Sequence, residues 1–273
     1  MIEKGLDMQF LNELNSGLLA SASAANSADG APNFFSDLWS RFESTFITDN
    51  RWKMFLDGLL TTVQITLFAA VLGIALGFLI AMIRSTHDMT ILKKKCRKPS
   101  DYILKFLNFI CNIYITVIRG TPVVIQLLIM YNIIFATSRN KVLVAVLSFG
   151  INSGAYVAEI VRSGIMSIDK GQFEASRSIG FDYKRTMIFI IMPQALKNIL
   201  PALGNEFIVL VKETSVAGYV AIMDLTKVGN TIISRTYDAF FPLISVAVFY
   251  LIIVLILTFL LKKLERRLRN SDH

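Results

Sequence analysis

The chain has 273 residues, of which 54% are hydrophobic and 18% are charged. A soluble globular domain has about 45–50% apolar and about 25% charged residues, so the composition argues against a soluble protein. The net charge of +8 could indicate nucleic-acid binding, but in a membrane protein Lys and Arg instead report which loops face the cytoplasm.

The first 50 residues differ from the rest. Residues 15–33 are rich in Ala, Ser, Gly and Asn, which predicts a flexible tail outside the cytoplasm. A cleavable signal peptide does not fit, because acidic residues precede this stretch and no continuous apolar segment follows a basic start. Residues 34–46 predict a short amphipathic helix lying on the membrane surface.

Residues 51–269 predict a membrane domain. About 20 apolar residues, rising about 1.5 Å each, cross the roughly 30 Å hydrocarbon core. We expect glycine and proline to interrupt some of the helices. The candidate spans are about 59–83, 102–136, 142–161, 186–211 and 241–261, and the expected interruptions are Gly120, Pro122, Pro193, Pro201 and Gly204.

Segment 102–136 predicts either one broken helix or two crossings. Two crossings would put the basic regions 84–105 and 162–185 on opposite sides of the membrane. One crossing puts both of them, and the basic C-terminal tail, on the same side. The positive-inside rule therefore favours five spans, with the N-terminus outside and the C-terminus in the cytoplasm.

The loop after the third span predicts a short helix at about 170–180. Asp169 suits an N-cap, and Gln172 three residues later would complete a capping box. Gly180 suits the left-handed residue that ends a helix. From these signals alone, a simple helical connection explains the segment equally well.

The same loop resembles the EAA motif of the membrane subunits of bacterial ABC importers. Ser176 stands where the pattern has a second Ala, and Met192 stands for Leu. Further stretches, together covering about residues 55–263, resemble the polar amino acid permeases for histidine, arginine or glutamine. The EAA match is Glu174-Ala175-Ser176, Gly180, Ile190 and Met192-Pro193, and the further stretches are Arg119-Gly120-Thr121-Pro122 with Gln126, 193–203, and Lys212-Glu213-Thr214-Ser215.

The resemblance implies an all-α integral membrane protein of the MetI-like permease type, with five transmembrane helices and a cytoplasmic coupling helix. It implies location in the bacterial inner membrane. The implied partners are an ABC ATPase dimer, a second permease subunit, identical or related, and an external amino-acid-binding protein. The implied contacts to the ATPase are Glu174, Ala175, Ser176, Arg177 and Gly180.

The chain is not expected to be an enzyme or to bind a cofactor. It has no Gly-Lys pair and therefore no phosphate-binding P-loop, so ATP and Mg²⁺ would be bound by the partner ATPase. A metal site is not expected, since the chain has only two histidines. Neither a catalytic group nor nucleic-acid binding is expected.

Polar groups at membrane depth are costly and tend to mark function. The carboxylates of Glu206 or Glu213 could receive a substrate ammonium, and Lys212 could receive its carboxylate. Alternatively, Glu159 pairs with the nearby Arg162, and Lys212 and Glu213 are solvated at a helix end. The candidate path residues are Gln126, Asn152, Ser153, Glu159, Lys197, Glu206, Lys212, Glu213 and Ser215.

Two other functions compete with the permease subunit. An autonomous secondary transporter or channel would need internal repeats or a charged relay within the membrane, and five spans do not divide into equal halves. A membrane-embedded enzyme would need an acid–base or metal constellation at depth, and the predicted spans contain no histidine.

Overall fold

The structure, a computed structural model, describes residues 34–90 and 99–269. Within these ranges all regular secondary structure is helical. The chain divides after Asp49 into two compact units. The predicted tail 1–33 and part of the first basic loop, 91–98, lie outside the described residues.

The described part of the first unit contains helix α1, Phe34–Phe46. Apolar side chains recur along it every three or four residues, which is the spacing of an amphipathic helix. The Trp39 and Phe42 rings stack with centroids 5.6 Å apart. On the polar side Asp37 pairs with Arg41 at 2.9 Å, one turn further on. The helix predicted at this position is therefore present.

The second unit contains eight α-helices of seven or more residues among the described residues. A π-helical segment, Met130–Ile134, follows α4, and another, Thr186–Ile191, leads into α7. The helices are α2 (Arg51–Thr90), α3 (Pro99–Gly120), α4 (Val123–Ile129), α5 (Lys141–Met166), α6 (Lys170–Ser178), α7 (Met192–Glu213), α8 (Leu225–Thr236) and α9 (Phe240–Arg269).

Five helical segments in the described ranges are long and apolar enough to cross a membrane, namely those containing α2, α3, α5, α7 and α9. The apolar stretch Val123–Ile134 is shorter than a span. The all-helical fold with five apolar helices that the sequence predicts is therefore confirmed.

Helices α2 and α5 run side by side in the same direction. A Cβ added to Gly77 would lie 2.5 Å from Cβ of Val157, and one added to Gly150 would lie 2.6 Å from Leu72. Small residues let membrane helices approach this closely, so that dispersion contacts accumulate. Parallel α2 and α5 require one crossing between them, which agrees with a single crossing by the broken segment 102–136.

Helix α8 is fixed against the beginning of α2. Asp224 is fully buried and caps α8 by accepting hydrogen bonds from the backbone N–H groups of Thr226 and Lys227, both at 3.1 Å. The Leu225 N–H donates to Thr62 Oγ1 of α2 at 3.2 Å. Burial raises the pKa of the Asp224 carboxyl, and the two N–H donors act in the opposite direction.

The structure corrects two of the expected helix interruptions. α3 ends at Gly120 before the extended Pro122, and Pro193 stands where the π-helical segment gives way to α7. Pro201 and Gly204, however, lie within α7, which continues through both. Gly204 serves packing instead, since an added Cβ would lie 2.4 Å from Leu261 of α9.

We predict that Gly77→Ala destabilises the protein by about 1–3 kcal/mol, because the new methyl group overpacks the α2–α5 contact. The measurement is thermal unfolding of the purified protein in detergent. Gly120→Ala is the matched control, because within the part of the chain that the structure describes no atom lies within 4 Å of the Cβ it would add. Equal midpoints for Gly77→Ala and wild type would contradict the close contact.

Candidate functional site

The break between α3 and α4 is bridged by the side chain of Gln126. Pro122 lacks the N–H that a continuous helix would offer to the Ile118 carbonyl. Gln126 Nε2 donates to that carbonyl at 2.7 Å, and to the Thr121 carbonyl at 3.1 Å. Its Oε1 accepts from Asn152 Nδ2 of α5 at 2.9 Å. Gln126 therefore replaces the missing donor and ties the break to α5.

The next residue on α5 extends this polar cluster to α7. Ser153 Oγ donates to Glu206 Oε1 at 3.0 Å. Asn152 and Ser153 are both only 2% exposed, so each would be costly to bury without a hydrogen-bond partner. Four of the residues predicted for the path thus meet as two hydrogen-bonded pairs, Gln126–Asn152 and Ser153–Glu206.

Two buried acceptors beside these pairs have no hydrogen-bond partner within the described residues. They are Asn152 Oδ1 and Ser148 Oγ, one helical turn apart on α5. A buried polar atom left in this state costs about 1–3 kcal/mol. An unsatisfied buried group in a native protein calls for an explanation, such as a functional role or a bound water or ion.

An open cleft of about 490 Å³ lies between α5 and α7. The Arg119 side chain at the end of α3 reaches into it and lies 5.2 Å from the ring centroid of Tyr156. The cleft extends to Ser167, which immediately precedes the α6 loop. Its lining consists of Arg119, Glu159, Ile160, Ser163, Gly164, Ser167, Asn198 and Ala202.

Glu159 is part of an ion-pair ladder between α2 and α5. Its carboxylate pairs with Arg84 and, at 3.4 Å, with Arg162. Arg162 pairs in turn with Asp88 at 3.2 Å. The predicted Glu159–Arg162 pair is present. Sequence reasoning missed Arg84 and Asp88, although their spacing of four residues places them on one face of α2.

The polar residues at the C-terminal end of α7 form a group separate from the ion-pair ladder. Lys212 is exposed and Glu213 is half-buried. Glu213 follows Glu206 by seven residues, which is about 10 Å along a helix. The buried Thr214 Oγ1 lies 3.4 Å from Thr66 Oγ1 of α2, a contact that the sequence did not suggest. Ser215 follows in a 3₁₀ turn, and Lys197 is partly buried near the other end of α7.

Helix α6 is capped at both ends. Asp169 accepts a hydrogen bond from Gly171 N–H at the N-terminus. At the C-terminus Gly180 has φ +86°, and the N–H groups of Gly180 and Phe181 donate to the carbonyls of Arg177 and Ser176 at 3.0 Å. This pair of bonds is the Schellman motif. The predicted capping box is wrong in one respect, because the Gln172 side chain faces Gln194 of α7 at 3.4 Å instead of the N-cap.

The two faces of α6 have opposite environments. Phe173 packs against a buried apolar cluster of α5 and α7, and Ser176 is 3% exposed. The opposite surface consists of exposed residues, and the neighbouring Ile179 is 70% exposed. A Cβ added to Gly180 would meet no atom of residues 34–90 or 99–269 within 4 Å. The exposed residues among those predicted to contact an ATPase are Glu174, Ala175, Arg177 and Gly180.

Five apolar helices, a buried polar cluster at a helix break and an exposed helix between two spans are features typical of a membrane transport component. Residues 102–270 match the family described as binding-protein-dependent transport system inner membrane component. The chain belongs to this family, as the motifs predicted, and is a multi-pass protein of the inner membrane.

Curated relatives and a solved structure are similar over most of the chain. The glutamine transport system permease protein GlnP of Escherichia coli is 37% identical, over 76% of this chain and 90% of its own. The arginine transport system permease protein ArtQ of Bacillus subtilis is 35% identical, over 80% and 93%. A crystal structure of an amino acid ABC transporter with histidines has a TM-score of 0.70 at 38% identity, covering 81% of this chain and 98% of that one. These similarities do not favour the autonomous transporter.

We predict that Gln126→Leu lowers stability by about 1–3 kcal/mol, because the carbonyls at the break and the Asn152 amide lose their partner. Thermal unfolding in detergent measures this loss. The matched control is Gln64→Leu, which makes the same change at an exposed position on α2. A midpoint for Gln126→Leu equal to that of the control would show that Gln126 does not hold the break.

Proposed function

We propose that this chain is the translocation subunit of an ABC importer, that it moves a polar amino acid into the cell, and that a separate ATPase subunit drives it. The observation that carries the proposal is α6, a helix capped at both ends whose motif residues are exposed. The names of the glutamine and arginine permeases among its relatives support a polar amino acid as substrate.

In this proposal the ATPase binds the exposed surface of α6. Glu174 supplies a charged contact, and Gly180 lets the partner approach the backbone, since no atom of the described residues lies near its missing Cβ. The caps keep α6 rigid. Because Phe173 packs into the cluster that joins α5 and α7, displacement of α6 would move these two helices together.

The substrate would follow the polar groups that face the interior of the bundle. Glu206, whose partner Ser153 leaves one carboxylate oxygen for another donor, would receive the ammonium group. Asn152 Oδ1, which accepts no hydrogen bond from the described residues, adds an acceptor nearby along α5. Arg119 in the cleft, or Lys212 at the far end of α7, would receive the carboxylate. Gln126 would position the break rather than bind substrate, because its amide is already engaged on both atoms.

The proposed assembly contains two permease subunits, two ATPase subunits and an external amino-acid-binding protein. The N-terminus lies outside, and α6 and the basic C-terminal tail lie in the cytoplasm. The ATPase binds ATP and Mg²⁺, and this chain binds no cofactor. Co-purification tests whether the second permease subunit is another copy of this chain.

We predict that Gly180→Arg abolishes uptake and the co-purification of an ATPase while the chain still inserts in the membrane. A residue other than glycine is strained at φ +86°, and the new side chain would project into the proposed docking surface. Gly180→Asn, which tolerates this conformation better, should retain more activity.

The matched control is Asn230→Arg, which adds the same side chain at an exposed position on α8. It should retain uptake and the ATPase. Normal uptake by Gly180→Arg would refute the role of α6. Full uptake without any bound ATPase would refute the importer itself.

We predict that Glu206→Gln lowers uptake about tenfold or more, because a charge-assisted hydrogen bond contributes about 1.5–3 kcal/mol. The amide can still accept from Ser153, so the fold should be preserved. Uptake of radiolabelled amino acids by proteoliposomes measures the effect. The control is Glu265→Gln, the same change at an exposed position of α9. Unchanged uptake by Glu206→Gln would remove Glu206 from the path.

A further inference from the structure

Helix α1 has an aromatic face to which the proposed transport mechanism assigns no role. Its 13 residues extend about 20 Å, which is too short to cross a bilayer. Successive residues are rotated by about 100° around a helix. This rotation places the aromatic residues on one side and the serine and charged residues on the other. The aromatic side consists of Phe35, Trp39, Phe42 and Phe46, and the polar side includes Ser36, Asp37, Ser40, Glu43 and Ser44.

The aromatic face presents a large apolar area. Phe35 is 80% exposed, Trp39 is 61% exposed, and Ile47 just beyond the helix is 53% exposed. Covering rings of this size removes a large apolar area from water. A contiguous apolar patch bordered by polar residues is typical of a surface that contacts a partner or a membrane.

The position of α1 in the chain indicates whether a protein partner or the membrane covers its aromatic face. α1 ends at Phe46, and the first apolar span begins at Thr48. Only four residues therefore separate α1 from α2, which begins at Arg51 and belongs to that first apolar span. The boundary between headgroups and acyl chains is where tryptophan is enriched in membrane proteins. An amphipathic helix at this boundary lies in the plane of the membrane with its apolar face toward the acyl chains.

The charges on α1 indicate how it binds. The helix carries Asp37, Arg41 and Glu43, and Arg41 is already paired with Asp37. Without a cluster of Lys and Arg, attraction to anionic lipids cannot supply the binding. The aromatic face must supply it instead.

We propose that α1 is an interfacial anchor that inserts Phe35, Trp39 and Phe42 between the headgroups and the upper acyl chains of the bilayer, without need of anionic lipid. The anchor does not depend on which substrate is carried. It adds a lipid-binding surface immediately before the first span, outside the matched range 102–270.

Trp39 provides the probe, because the chain has only two tryptophans. Trp52→Phe in the full chain leaves Trp39 as the single fluorophore. The protein is reconstituted in phosphatidylcholine vesicles with bromine at shallow, middle or deep acyl positions. We expect the strongest quenching from shallow bromine and protection from aqueous iodide. High salt, or replacing part of the lipid with phosphatidylglycerol, should leave the quenching unchanged.

Phe35→Ser/Phe42→Ser in the same background should lose much of the quenching by shallow bromine. The matched control, Ser36→Ala/Ser40→Ala on the polar side, should keep it. Quenching by iodide but by no brominated lipid would place Trp39 in water and overturn the proposal. Resistance to both quenchers would mean that protein covers the face, which also overturns it. Loss of quenching at high salt would refute the charge-independent mode of binding.

Discussion

The close packing of α2 against α5 is the contact on which the rest of the membrane unit depends. Lipid tails are as apolar as the side chains of a span, so association between helices relies on close contact and hydrogen bonds rather than on exclusion of water. Gly77 and Gly150 allow that contact. The ladder of Arg84, Glu159 and Arg162 closes one end of the same pair. With α5 held in the centre, its polar residues can point toward both neighbours.

The polar cluster follows from that arrangement. α5 presents Asn152 to the broken segment and Ser153 to α7, because adjacent residues of a helix point about 100° apart. The break at Pro122 would leave a carbonyl without a donor in the membrane, where water cannot replace it. Gln126 supplies the donor and accepts from Asn152. One side chain thus makes the break tolerable and fixes its position relative to α5.

The sequence predicts well which segments form long apolar helices, and it predicts poorly how those helices are rotated about their axes. Long apolar segments give the five helices, and Asp169 and Gly180 give both ends of α6, because these signals are local. The pairing of Glu206 with Ser153 and of Glu159 with Arg84 could not be predicted, since each partner lies far away in the chain and hydropathy does not report which way a side chain points. The prediction that Gly204 interrupts a helix was wrong for the same reason. A glycine that breaks a helix and a glycine that admits a neighbouring side chain are identical in sequence.

The position of α6 beside the cleft explains how one short helix could control access to the polar cluster. The loop before α6 begins at Ser167, which lines the cleft and accepts a hydrogen bond from Asn198 of α7 at 3.0 Å. Gln172 of α6 contacts Gln194 of α7. The helix is therefore connected to both walls of the cleft through side chains that lie within two turns of it.

If an ATPase displaces α6 as proposed, the walls move with it, because a capped helix packed on a close-packed interior transmits displacement instead of absorbing it. Glu206 and Ser153 lie deeper on those same two helices, so the motion that opens or closes the cleft also acts on the hydrogen bond between them.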